Sequence, residues 1–165
     1  MNEKGFTATE LLVVVAILGI LSAISIPAFS SWLPNYRLKK SVRNIYDAMN
    51  LAKLSAVKSN NVAVVIFSIT NDNYTVFLDT VSNWALDSTE TIIGSGTVGD
   101  NVDIYDSTFP SHTYGFSSRG MSQAPCTGPY NVYLKSSKGR YMGVRVNAAG
   151  SLKIIKSTDG GSTWS

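Results

Sequence analysis

The sequence predicts an α+β protein in which a long N-terminal membrane-spanning helix is packed on a C-terminal antiparallel β-sheet domain. Three features predict it: an apolar run up to residue 26, apolar residues at steps of three and four over 38–56, and alternating β-rich runs from Val62 onward. The chain divides accordingly into a short head (1–5), a transmembrane helix (6–26), its amphipathic continuation (27–59) and a β-rich region (60–165). The last segment, about 105 residues, is enough for one small globular domain.

Residues 6–26 would make a helix of about 31 Å at about 1.5 Å per residue, matching a hydrocarbon core of about 30 Å. Glu10 lies inside this span. A carboxylate near mid-membrane costs roughly 2.5–3.5 kcal/mol on insertion scales, and less near the end. No basic residue between Phe6 and Tyr36 can pair with it. Cleavage after Gly5 would place a new α-amino group at Phe6, one helical turn away, and that amine would neutralise it.

Gly5-Phe6-Thr7 with Glu10, followed by an apolar helix with Gly19 and Pro27, resembles a type IV prepilin over about the first 60 residues. The resemblance implies a leader of residues 1–5 and a prepilin peptidase that cuts between Gly5 and Phe6 and methylates the new amine. It also implies that Glu10 sets filament register by neutralising the amine at Phe6 of a neighbouring pilin or pseudopilin subunit. Ala8 and Thr9 stand where the family usually has two bulky apolar residues.

A secretory signal peptide is the competing reading, with Ser22-Ala23-Ile24-Ser25 as its small-residue cleavage site, but Glu10 against the core and Lys4 as the one leading cation argue against it. Orientation pulls two ways. Arg37, Lys39, Lys40 and Arg43 follow the span, which by the positive-inside bias puts the C-terminal domain in the cytoplasm. The resemblance implies the opposite: a single pass through the inner membrane with a periplasmic C-terminal domain, then a periplasmic pseudopilus or an extracellular filament.

Beyond the span, Pro27 and Pro34 should kink or locally interrupt the helix, because each removes a backbone donor. Leu38, Val42, Ile45, Met49, Ala52 and Ala56 then form the apolar stripe of an amphipathic helix that Asn60-Asn61 ends. Strands are expected at 62–69, 74–80, 91–93, 101–105, 113–117, 130–135, 141–147 and 151–156. The run Gly94-Ser95-Gly96-Thr97-Val98-Gly99 fits G-x-G-x-x-G, but no helix opens after it, so it reads as a flexible turn.

Tyr114-Gly115-Phe116-Ser117-Ser118-Arg119-Gly120, followed by a β pair with Gly139-Arg140 ahead of it and Gly150 at its turn, resembles the GspH/FimT branch of pilin-like proteins. That branch includes minor pseudopilins of type II secretion and minor pilins. Some of its members bind DNA through a basic C-terminal region, and Lys138, Gly139, Arg140 and Arg145 lie in the comparable place.

Net charge is only +3 and gives no bulk case for nucleic acid. The charges are nevertheless segregated. Asp72, Asp79, Asp87, Glu90, Asp100, Asp103 and Asp106 fill the first part of the β region, and Arg119, Lys135, Lys138, Arg140, Arg145, Lys153 and Lys156 the second. Cross-strand or subunit complementarity explains this pattern, and so does a basic face for phosphates. Tyr133 and Tyr141 are the aromatic residues interleaved with the basic set.

Cys126, the single cysteine, reads as a structural thiol in a Pro/Gly loop, or as an intermolecular bridge in an oxidising compartment. Residues 157–164 fit the S-x-D-x-G-x-T-W pattern of Asp-box hairpins, read here as a structural turn. Asp100, Asp103 and Asp106 lack a calcium-loop signature and read as a solvated acidic surface. The lone His112 has no His/Cys partners for a zinc site, and no G-x-S-x-G, P-loop or haem-attachment motif occurs. No metal, cofactor or enzymatic activity is expected. The expected role is assembly: a structural subunit of a type IV pilus-like filament or type II secretion pseudopilus, read first as a minor subunit, with a major pilin forming the bulk of the fibre as the alternative. DNA capture for uptake is an alternative of another class.

Overall fold

The computed structural model describes residues 5–126 and 128–165, with backbone alone at 26–28 and 31, so most of the expected leader lies outside the described residues. The chain divides into two units, Met1–Leu33 and Pro34–Ser165. One helix, α1 (Ala8–Ser59), runs from the first into the second. The helical backbone continues through Pro27 and Pro34, so of the two outcomes expected there, a kink or a local interruption, the interruption does not occur. Each proline removes one amide donor, and the surrounding ladder holds the helical backbone.

α1 ends in a Schellman motif. Asn60 takes the left-handed conformation at φ 51°, with Asn60 N–H bonded to Val57 O (3.4 Å) and Asn61 N–H to Ala56 O (3.2 Å). Among the described residues eight strands follow: β1 (Val62–Ser68), β2 (Asn73–Asp79), β3 (Thr91–Thr97), β4 (Val102–Ser107), β5 (Thr113–Phe116), β6 (Tyr130–Ser136), β7 (Tyr141–Val146) and β8 (Leu152–Ser157). They form two antiparallel four-stranded sheets, ordered β3-β2-β1-β5 and β4-β6-β7-β8.

All six residues of the predicted stripe are buried, and they join one core with Ala63, Val65, Phe67, Val76 and Tyr114 of the first sheet and Ile104, Val132, Leu134, Val144 and Val146 of the second. The helix therefore serves both sheets.

The first four residues of the glycine run, Gly94 to Thr97, are strand rather than the expected turn: β3 continues through Gly94 and Gly96 after a register shift against β2. A Cβ at Gly94 would lie 3.1 Å from the Leu51 side chain, and one at Gly96 would lie 2.5 Å from the Tyr74 hydroxyl. Glycine stands there because side chains from α1 and β2 fill that space.

Each sheet is covered on its outer face by a segment that an aspartate holds. In the loop between β2 and β3, buried Asp79 accepts backbone N–H bonds from Ser82 (2.6 Å), Asn83 (3.3 Å) and Trp84 (3.1 Å). Glu90 accepts from Thr80 N–H and Asp87 N–H, both at 3.1 Å. The loop lays the Trp84 ring against Gly115, where a Cβ would clash.

After β8 the Asp-box segment folds back. Asp159 accepts from the Ser157 and Thr163 hydroxyls (2.6 Å each) and from Thr163 N–H (2.9 Å), and Lys156 and Ser165 exchange two backbone bonds of 3.0 Å. The Asp159 carboxyl is held well below the usual carboxylate range, chiefly by the two hydroxyl donors. Trp164 thereby reaches Tyr133, with ring centroids 4.4 Å apart.

Within the core, the Tyr114 hydroxyl bonds Ser122 Oγ, which donates to Asn147 O at 3.0 Å. Burial pushes the Tyr114 phenol up to about 12. An unfolded tyrosine ionises near pH 10, so above that pH the unfolded chain loses its proton first. The stability contributed by the neutral phenol is intact below about pH 10 and is lost as pH rises toward about 12. The urea midpoint of the full chain in detergent should fall over that window, and Tyr114→Phe should flatten the fall. An equally steep fall in the variant would place the titration elsewhere.

Candidate assembly site

The site begins where α1 does. Thr7 is the N-cap: its carbonyl accepts the Leu11 N–H at 3.2 Å, and its Oγ1 accepts the Glu10 N–H at 3.2 Å. Glu10 Oε2 in return accepts from Thr7 N–H (2.9 Å) and Thr7 Oγ1 (2.7 Å). This is a capping box. The sequence reading missed it by asking only what charge Glu10 could meet across the membrane, although Thr-x-x-Glu before an apolar run signals it. The carboxylate thus has a local partner at the head of its own helix, one residue from Phe6.

Behind this cap, residues 8–25 have a mean hydropathy of 2.2, with none of the span buried within the chain. Each large apolar side chain among residues 11–24 is at least 47% exposed. The Ser22 and Ser25 hydroxyls donate to the Leu18 and Leu21 carbonyls at 2.7 and 2.8 Å, so they add no unsatisfied polar group to the span. Phe29 and Trp32 follow, with ring centroids 6.2 Å apart, aromatic residues of the kind that favour a membrane interface. A surface of this length and apolarity is long enough to cross a hydrocarbon core.

The charged residues of the Pro34–Ser165 unit have several distinct roles. Asp79 and Glu90 bind backbone within their own loop, as described above. Asp72 Oδ1 accepts Ile104 N–H at 2.7 Å and ties the β1–β2 turn to β4. Arg37 meets Asp100 at 3.6 Å, whereas Asp103 stands opposite Lys135 in the β4–β6 register. Cross-strand complementarity fits that last pair and fails for Arg145, which stands opposite Lys153.

The three residues grouped for DNA are divided by the fold. Lys138 and Arg140 occupy the β6–β7 turn, and Arg145 lies five residues past Arg140 on β7 with its Nε bonded to Asn131 Oδ1 at 2.9 Å. Near Arg145 there is more aromatic surface than the sequence suggests. Tyr105 approaches Tyr133 (5.9 Å) and Tyr141 (5.4 Å), and Trp164 adds to the group. Sequence reasoning missed this cluster because Tyr105 and Trp164 join it only through strand pairing and the terminal hairpin.

Cys126 is buried, its Sγ 3.5 Å from Thr113 O, and burial pushes the thiol up. It is thus a structural thiol, placed out of reach of a partner cysteine. His112 Nδ1 lies 2.7 Å from Ser107 Oγ. Among the described residues no group of acids, cysteines and histidine is gathered as a metal site.

The same architecture occurs in solved structures. The minor pseudopilin EpsH of the Vibrio cholerae type 2 secretion system aligns over 74% of this chain and 99% of its own, with 15% identity and a TM-score of 0.56. The type IV minor pilin FimU of Pseudomonas aeruginosa aligns over 73% and 89%, with 8% identity and a TM-score of 0.58. At these identities the likeness is one of fold. A fimbrial protein of P. aeruginosa is 40% identical over 55 residues, 33% of this chain, and the match spans only 35% of that relative's length. The family model described as type II transport protein GspH matches residues 41–150, from the buried stripe of α1 to the turn after β7. The two-sheet domain packed on that stripe, together with this match, shows that the chain belongs to the GspH family.

Proposed function

We propose that this chain is a minor subunit of a type IV pilus-like filament or type II secretion pseudopilus. One observation carries the reading: an apolar span with none of its surface buried within the chain, capped by Glu10 beside Phe6, on a protein of the GspH family. Before assembly, residues 6–26 anchor the precursor in the inner membrane with the β domain on the periplasmic side, and prepilin peptidase cuts between Gly5 and Phe6. The span then leaves lipid for a bundle of like helices. Its dispersion contacts supply adhesion, and Glu10 pairs with the amine of a neighbouring Phe6 to fix register. The role is assembly rather than catalysis.

Quantitative peptide mass spectrometry on sheared filaments and on the remaining membranes tests this. The expected result is a methylated N-terminus at Phe6 and a chain that is scarce in filaments relative to their main subunit. Dominance in the filaments would make it a major pilin. Retention of residues 1–5 in cells with active prepilin peptidase would overturn the assignment.

A further inference from the structure

We propose that Lys39, Arg140 and Lys156 form a binding site for a phosphate-type oxyanion, a site independent of the subunit role. The three cations line an open cavity of about 480 Å³ in the Pro34–Ser165 unit together with Ser157, Thr158 and Gly160, and no carboxylate lines it. They come from three elements: α1, the β6–β7 turn and β8. Among the described residues the ion pairs are Arg37–Asp100 and Arg43–Asp47, and neither involves these cations. The neighbouring acid in sequence, Asp159, has its carboxylate occupied by Ser157 and Thr163.

The backbones that carry the cations are fixed. Arg140 N–H donates to Ser136 Oγ at 3.3 Å, its carbonyl accepts Ser136 N–H at 2.9 Å, and Gly139 supplies the left-handed turn residue at φ 70°. Lys156 is held by its two backbone bonds to Ser165. Lys39 follows the buried Leu38 on α1. All three side chains are exposed, and an anion in the cavity they line would meet positive charge from three separate elements. A guanidinium with two ammonium groups and the Thr158 hydroxyl suits the tetrahedral oxygens of a phosphate, through charge-assisted bonds. Two sources share that chemistry: soluble phosphate and the headgroup of an anionic phospholipid.

The test is calorimetric titration of the full chain, in non-ionic detergent, with inorganic phosphate. Saturable, salt-sensitive binding is expected, weakened at least about tenfold by Arg140→Gln and by Lys156→Gln, and by less than about twofold by Lys138→Gln, which lies outside the lining. Circular dichroism of each variant separates loss of binding from loss of fold. In phosphatidylcholine nanodiscs, an affinity for phosphate that falls when phosphatidylglycerol is added supports the site with a headgroup as its ligand. An unchanged affinity supports it with soluble phosphate. Absence of saturable binding, an equal loss in Lys138→Gln, or Arg140-dependent binding of duplex DNA without phosphate binding would overturn the proposal.

Discussion

Glu10→Ala should lower incorporation of the chain into filaments by roughly tenfold to a hundredfold while leaving its membrane insertion intact, on the scale set by an unneutralised charge in the apolar span. The geometry at Thr7 gives Glu10 a capping role, separable from the register role proposed for its charge. As the third helical residue it satisfies the Thr7 N–H, a task that glutamine performs as well. In the proposed register role it would also neutralise a neighbouring amine, which glutamine cannot do. Glu10→Gln should therefore incorporate as poorly as Glu10→Ala. Thr7→Ala, which removes the cap at a cost of about 0.5–2 kcal/mol to the first turn, should incorporate close to normally once the helix is held in lipid. Quantification of each variant in sheared filaments and membranes checks this. Normal incorporation of Glu10→Gln would assign the residue to capping alone and remove its register role.

Asp79→Ala should destabilise the domain by about 3–5 kcal/mol, because it strands three backbone donors that converge on a buried carboxylate. The loss would be local in origin. Without that anchor the β2–β3 loop no longer holds Trp84 against Gly115, and the outer face of the first sheet opens to water. Asp79→Asn retains one acceptor oxygen and should cost roughly half as much. Urea unfolding of the full chain in detergent, with a tryptophan emission shift at lower denaturant than in the wild type, is the measurement. A change below about 1 kcal/mol in the alanine variant would mean that water replaces the carboxylate without loss.

Much of the fold is legible residue by residue. The stripe Leu38, Val42, Ile45, Met49, Ala52 and Ala56 is buried as its spacing implies, and Asn60 stops the helix as its tolerance of the left-handed conformation allows. The starts and ends of β1, β2, β5, β6, β7 and β8 fall within a residue of the alternating runs. β3 departs from expectation because two glycines break its alternation, for a reason that lies on Leu51 and Tyr74. The acids were legible as a group and not as individuals. Asp79 and Glu90 serve the amides of their own loop, whereas Asp100 reaches across to Arg37.

The apolar span with Glu10 at its head, the amphipathic helix behind it and the succession of strands are all legible in the order of residues. Each is a local periodicity or a short motif, readable from neighbours a few residues apart. The folded chain adds that the strands part into two sheets, that Trp84 and Trp164 cover their outer faces, that Arg145 stands apart from Lys138 and Arg140, and that Lys39, Arg140 and Lys156 line one cavity. These facts depend on which distant segments pair and in what register, and a one-residue change of register would send the strand residues Arg145 and Lys156 to the opposite face of their sheet.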